Sequence, residues 1–200
     1  MGAAQRGAGR ENGFGLNIQL PFEQEPNVEI AGDLELINFK YFFTRKLCFI
    51  KESDAIVLFP GGFGTHDEGF EAITLMQTGK SQIKPIVFID RPRGNYWKTW
   101  WRFVEDELLD RALISKDDLS LFLVTDDLTE ACNEIAGFYR NYQSSRYVKD
   151  SLVLRVKHPV TESLLATLNE RFADICDAGG RFQVAGSLPE EEREGELADL

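Results

Sequence analysis

Three short apolar runs fix most of what this chain can become: "DAIVLF" (54–59), "PIVFID" (85–90) and "LFLVT" (121–125). Each is nearly continuous rather than alternating, the pattern of a strand covered on both faces in a parallel sheet. Segments of helical period lie between and after them. "YWKTWWRFVEDELLD" (96–110) puts Trp97, Trp100, Trp101, Val104 and Leu108 on one face. "DDLTEACNEIAGFYRNY" (126–142) opens with acids, which suit a helix N-terminus, and aligns Leu128, Ala131, Ile135 and Phe138 for burial. An alternating run, "FGLNIQL" (14–20), bounded by Gly13 and Pro21, reads as a further strand. Strand–helix alternation of this kind predicts a doubly wound parallel α/β sheet.

The pattern changes after residue 142. "DSLVLRV" (150–156) reads as a strand. "TESLLATLNERFADICDAGG" (161–180) reads as an amphipathic helix with Thr161 as N-cap and Gly179 and Gly180 as its stop. "RFQVAG" (181–186) reads as another strand. The predicted organisation is a nucleotide-binding-type α/β domain over 1–142, a small βαβ-like α+β extension over 143–186, and an acidic disordered tail over 187–200. The opening "MGAAQRGAGRENG" looks like the end of a helix running into a strand, so an earlier segment is expected before it.

Composition narrows the function. The net charge of −11 argues against nucleic acid as a partner, while leaving room for a local basic pocket around one small phosphate. No apolar run approaches the roughly 20 residues of a membrane span, and the N-terminus has no signal-peptide core. Three scattered cysteines (Cys48, Cys132, Cys176) fit neither a disulfide framework nor a zinc site, so a reducing, cytoplasmic setting is expected. Two histidines, His66 and His158, exclude a histidine-rich metal site.

The run 54–59 ends in "PGGFGTHDE" (60–68). In an open α/β sheet, ligands sit beyond the carboxyl ends of the strands, which is where this loop emerges. Gly61, Gly62 and Gly64 admit close backbone approach and positive φ. The amides from Gly62 to Thr65 then face outward at a helix N-terminus, where the dipole favours an anion, and Thr65 adds a hydroxyl. No Gly-Lys-Ser/Thr follows, so this is not a Walker loop. A carboxylate beside a phosphate is repelled. Glu68, one turn into the helix, therefore either complements the helix dipole or reaches past the phosphate to a sugar.

Upstream, "YFFTRKLCFIKES" (41–53) predicts a short helix from Arg45 to Lys51 capped by Thr44, with Leu47, Ile50 and Phe49 facing the sheet. A helix that follows a strand starts at the same carboxyl edge as the glycine loop. Topology thus makes Arg45 and Glu68 neighbours. A cation near a helix N-terminus opposes the dipole, and such local misfits mark sites. Lys46 reads equally well as a site residue or a surface one. The Trp97, Trp100 and Trp101 cluster reads as core or dimer surface rather than a base-stacking platform. Asp90 reads as a strand terminator or turn cap, and His158 as a loop residue.

"PGGFGTHDE" with the upstream "RK" pair resembles the LONELY GUY-type phosphoribohydrolases, long mislabelled as lysine decarboxylases. "MGAAQRGA" resembles the family's "GIMGAANRGA" helix, and the resemblance covers residues 1 to about 142. It implies a Rossmann-like fold and a homodimer. It also implies hydrolysis of the N-glycosidic bond of adenosine-type 5′-monophosphates, N6-prenylated cytokinin nucleotides among them, to free base and ribose 5-phosphate. Carried over residue by residue, the catalytic pair falls on Arg45 and Glu68. Substrate-binding positions fall on Lys46, on Gly61, Gly62, Phe63, Gly64 and Thr65, and on Thr74. Neither a metal nor a redox cofactor is required. The chain departs from the family at His66 and Asp67, where a Leu-Glu pair is common, and in lacking the usual N-terminal strands and glycine-rich turn. A decarboxylase reading would need a cofactor-binding lysine in a local motif, and none is present. The rival reading, from another class, is a nucleotide or phosphorylated-cofactor carrier without turnover.

Overall fold

The computed structural model describes residues 2–20, 26–177, 179–186 and 188. Its elements run α1 (Gly2–Ala8), β1 (Gly15–Ile18), β2 (Leu36–Phe39), α2 (Phe42–Lys51), β3 (Ile56–Leu58), α3 (Phe63–Gln77), β4 (Ile86–Ile89), α4 (Tyr96–Phe103), β5 (Leu123–Thr125), α5 (Leu128–Phe138), β6 (Tyr142–Val148), β7 (Ser151–Val156) and α6 (Glu162–Arg171). The chain divides into two units, Met1–Glu134 and Ile135–Leu200.

The first unit is a Rossmann-like α/β assembly of parallel strands. β3, β4 and β5 pair in that order, with Ile56 opposite Ile86 and Val87 opposite Leu123. β4 lies in the middle, and all four of its residues are buried, which is why "PIVFID" has no polar alternation. β1 and β2 form a second parallel ladder, Gly15 opposite Leu36. Among the described residues no strand pairing joins the two ladders.

The core gathers on β4. Phe88 stacks on Trp100 at 4.5 Å between centroids and meets Trp97 edge-on at 4.8 Å. The Trp97 indole N–H donates to the Ile89 carbonyl at 3.1 Å. Trp97 and Trp100 are therefore core, and each buried aromatic of this kind contributes roughly 1.5–3 kcal/mol or more. α4 continues as a π-helical stretch, Val104–Leu109, whose first residue completes the cluster. Gly69 sets how close α3 comes: a Cβ there would lie 3.1 Å from Leu58 Cδ2 and 3.4 Å from Phe88. The close seat of α3 on β3 and β4 fixes where its N-terminus points.

Three local expectations are corrected in this unit. α2 starts at Phe42, with Tyr41 as an extended N-cap, and Thr44 is inside the first turn. The Thr44 hydroxyl donates back to the Tyr41 carbonyl at 2.9 Å, so it caps nothing. Leu47 is exposed while Ile50 is buried. Leu128 is exposed as well. The acids before it do begin α5, since the Asp127 carboxylate accepts from the Thr129 amide at 2.7 Å.

The second unit holds the end of α5 and then an antiparallel hairpin, β6 to β7, from Tyr142 opposite Val156 to Val148 opposite Ser151. Lys149 takes φ 52° in its two-residue turn, as tight hairpin turns of the primed types require. Thr161 caps α6, accepting from the Leu164 amide at 3.2 Å. The helix ends at Arg171, well before Gly179 and Gly180, and a short 3₁₀ turn, Ala173–Ile175, follows. The strand expected over 181–186 does not form. The Asn169 side chain takes its place in pairing: it accepts from the Phe182 amide at 2.9 Å and donates to the Phe182 carbonyl at 3.0 Å. The expected acidic tail lies, apart from Leu188, outside the described residues. No described helix is long and apolar enough to cross a membrane.

Candidate active site

After β3 the chain turns through Pro60, Gly61 and Gly62 into α3. Gly62 is the N-cap, with φ −84° and ψ −158°. No glycine of this turn takes a positive φ, which corrects one reason expected for them. They provide space instead. A Cβ at Gly61 would fall 2.1 Å from Thr65 Oγ1, so the threonine hydroxyl occupies that place. A Cβ at Gly62 would meet nothing within 4 Å, and one at Gly64 only Glu68 Oε2 at 3.9 Å. Both glycines are exposed and face open space.

The turn is held from behind. The Tyr96 hydroxyl, at the start of α4, donates to the Gly61 carbonyl. His66 Nδ1 lies 3.1 Å from the Gly62 carbonyl, and its ring packs 5.7 Å from that of Trp97. The Thr65 amide donates to the Gly62 carbonyl at 3.1 Å, so it is used within the turn. The amides that a helix start leaves without an intrahelical partner are then those of Phe63 and Gly64. They carry the positive end of the helix dipole. The Phe63 side chain is almost wholly exposed.

α2 brings its cations to α3 in two cross-links. Arg45 Nη2 is 2.6 Å from Glu68 Oε1, and the two side chains are 17% and 21% exposed. The Arg45 guanidinium also lies 5.6 Å from the Phe42 ring centre and 5.7 Å from that of Phe49. Its Nε–H is buried with no hydrogen-bond partner among the described residues, a donor of the kind that an anion or ordered water takes up. Lys46 Nζ sits 2.6 Å from Asp67 Oδ2 and 2.8 Å from Glu71 Oε2. Burial works to lower the affinity of Lys46 for its proton. Hydrogen bonds to Asp67 and Glu71 outweigh it, so its pKa is raised above the usual lysine value.

The structure thus brings Arg45, Lys46, Glu68 and the turn Gly61 to Thr65 to one edge. Thr74 is not brought to the Arg45–Glu68 pair. It is exposed and lies six residues past Glu68, about 9 Å along α3. Asp67 and Glu71 were missed as Lys46 partners, although their i,i+4 spacing on α3 was a readable signal. Tyr96 left no signal. It is placed by Asp90, whose carboxylate accepts from the amides of Arg91 and Tyr96, each at 2.8 Å. Gly94 must be glycine for this, since its Cβ would fall 2.1 Å from Asp90 Cγ. A cleft of about 130 Å³ beside Asp90, Lys98, Thr125 and Asp126 is too small for a nucleotide.

Parallel strands, a glycine turn at a strand's carboxyl end and a helix N-terminus opening outward define a Rossmann-like α/β protein. The chain belongs to the LONELY GUY family: the family described as possible lysine decarboxylase matches residues 1–135. It is similar to the cytokinin riboside 5′-monophosphate phosphoribohydrolase of Mycobacterium tuberculosis, with 34% identity over 104 residues, or 51% of this chain and 52% of that protein. The chain spans about half the length of that curated relative.

Proposed function

We propose that the protein is a nucleotide 5′-monophosphate N-ribohydrolase acting on AMP-like substrates. The observation that carries the reading is the Arg45–Glu68 pair at 2.6 Å, set beside an open glycine turn. The similarity to a phosphoribohydrolase supports it. In this reading the phosphate lies against Gly62 and Gly64, held by the amides of Phe63 and Gly64 and by Thr65. Lys46 contributes charge there once the phosphate competes with Asp67 and Glu71 for it.

The reaction breaks the bond between the base and ribose C1′ and adds water across it. Positive charge builds on the ribose as the bond lengthens. The Glu68 carboxylate, past the phosphate, stabilises that charge and orients the ribose hydroxyls or the attacking water. Arg45 aligns Glu68 through their shared hydrogen bond, and its guanidinium adds positive charge beside the phosphate. Neither step requires a metal or a redox group.

Base release from AMP against adenosine tests the reading. The expected outcome is strong preference for the monophosphate, because charge-assisted bonds to phosphate are worth about 1.5–3 kcal/mol each. Equal rates would remove the phosphate from the account. A carrier without turnover is the second reading. Binding of AMP with no base released would select it. We further propose a homodimer in which α2, exposing Phe42, Phe43 and Leu47, packs near the site.

A further inference from the structure

α2 presents Arg45 and Lys46 near its start, and its other end is held by a lysine from a distant turn. We propose that Lys84 is a positioning residue for Arg45: its ammonium closes the C-terminal end of α2 and so fixes the helix that offers Arg45 to Glu68. This rests on the reading of Arg45 given above.

Lys84 is 7% exposed. Its Nζ donates to the Ile50 carbonyl at 2.6 Å and to the Ser53 carbonyl. Ile50 is in the last turn of α2, where carbonyls have no intrahelical partner and carry the negative end of the dipole. The ammonium therefore meets the helix where a cation belongs, in contrast to Arg45 at the opposite end. Burial holds the Lys84 pKa below the usual lysine value, while the charges of Asp54 and Glu52 oppose that. An apolar side chain of similar size would fill the space without this desolvation penalty, so core filling alone does not account for a lysine.

The anchor is rigid at its other end. Lys84 precedes Pro85, whose carbonyl accepts from the Ile56 amide at 2.9 Å, and then β4, the most buried strand. α2 has 10 residues, too few for a helix to be stable by itself. Ile50 is five residues from Arg45, about 7.5 Å along the axis. A shift at the C-terminal end of so short a rod is carried to the guanidinium.

The test is Lys84→Met in the full chain. Three measurements are made: solvent exchange of the Arg45 Nε–H by NMR, amide exchange in α2 and β4, and kcat/KM for base release from AMP. The expected result is β4 protection kept within threefold and α2 amides exchanging at least tenfold faster. The Arg45 Nε–H should lose its protection, and kcat/KM should fall at least tenfold. A purely structural lysine would not expose the Arg45 Nε–H in protein that stays folded. Unchanged α2 exchange with a protected Nε–H overturns the proposal, as does loosened α2 with full kcat/KM. If the methionine variant does not fold, Lys84→Gln, which keeps one amide donor group, is measured in the same way. Wild-type protein that binds AMP without releasing base refutes the hydrolase reading alone, and the two exchange measurements still decide the role of Lys84.

Discussion

Gly64→Ala separates what the fold needs from what the ligand needs. Gly64 is the second residue of α3 and has no positive φ, so alanine fits its backbone. The new methyl would meet only Glu68 Oε2 at 3.9 Å, an ordinary contact. In a helix, alanine is favoured over glycine by roughly 0.5–1 kcal/mol, the lower figure being apt near an end. The expected Tm change is an increase of about 1–2 °C. The methyl enters the space proposed for the phosphate. Loss of one charge-assisted bond, about 1.5–3 kcal/mol, lowers kcat/KM for AMP by roughly 10- to 150-fold. The assay pairs a thermal melt with base-release kinetics. Higher stability with lower kcat/KM is the expected combination. Higher stability with unchanged kcat/KM would place the phosphate elsewhere, and a lower Tm would refute the account of the turn itself. Gly61→Ala is the contrast: its Cβ collides with Thr65 at 2.1 Å, so stability and activity should fall together.

Other outcomes follow from the same geometry. Asp118 is held below the usual carboxylate range chiefly by the Ser115 amide, and Asp126 chiefly by the Lys98 ammonium. Their contribution to stability is full above the ordinary value of 3.8 and is lost as pH falls through the lower folded-state values. The urea midpoint should therefore drop as pH falls below 3.8, and Asp118→Asn with Asp126→Asn should make that drop smaller. An unchanged drop would contradict the assignment. Light scattering at micromolar concentration should give a dimer, weakened by Leu47→Glu on the exposed face of α2. A wild-type monomer would count against the proposed assembly.

Strands buried on both faces were readable because burial removes polar alternation, and β3, β4 and β5 were placed within one or two residues. β6 was not read: "YQSSRYV" carries an arginine, two serines and a glutamine, and its pairing with β7 comes from the tight turn at Lys149. The opposite error fell on 181–186, where an apolar alternation found an asparagine side chain instead of a strand partner. Arg45 and Glu68 were legible as neighbours because a helix that follows a strand and a glycine loop that follows the next strand both start at a strand's carboxyl end. The glycines were identified for a partly wrong reason, since local sequence does not distinguish the need for positive φ from the need for space. Lys84 was illegible: a lysine in a turn looks like a solvated one, and only the end of α2 folding over it shows otherwise.

The central claim is that Glu68 acts on a cationic sugar. Glu68→Gln keeps size and a hydrogen-bonding oxygen toward Arg45 while removing the charge. The measurement is base release under saturating AMP, with calorimetric binding alongside, for wild type, Glu68→Gln and Arg45→Ala. The account expects Glu68→Gln to lose roughly 10²-fold or more in kcat with binding nearly intact or tighter, because the charge interaction is made mainly in the transition state. Arg45→Ala should lose turnover and, where Arg45 holds the phosphate, binding as well. Wild-type turnover by Glu68→Gln would contradict the account.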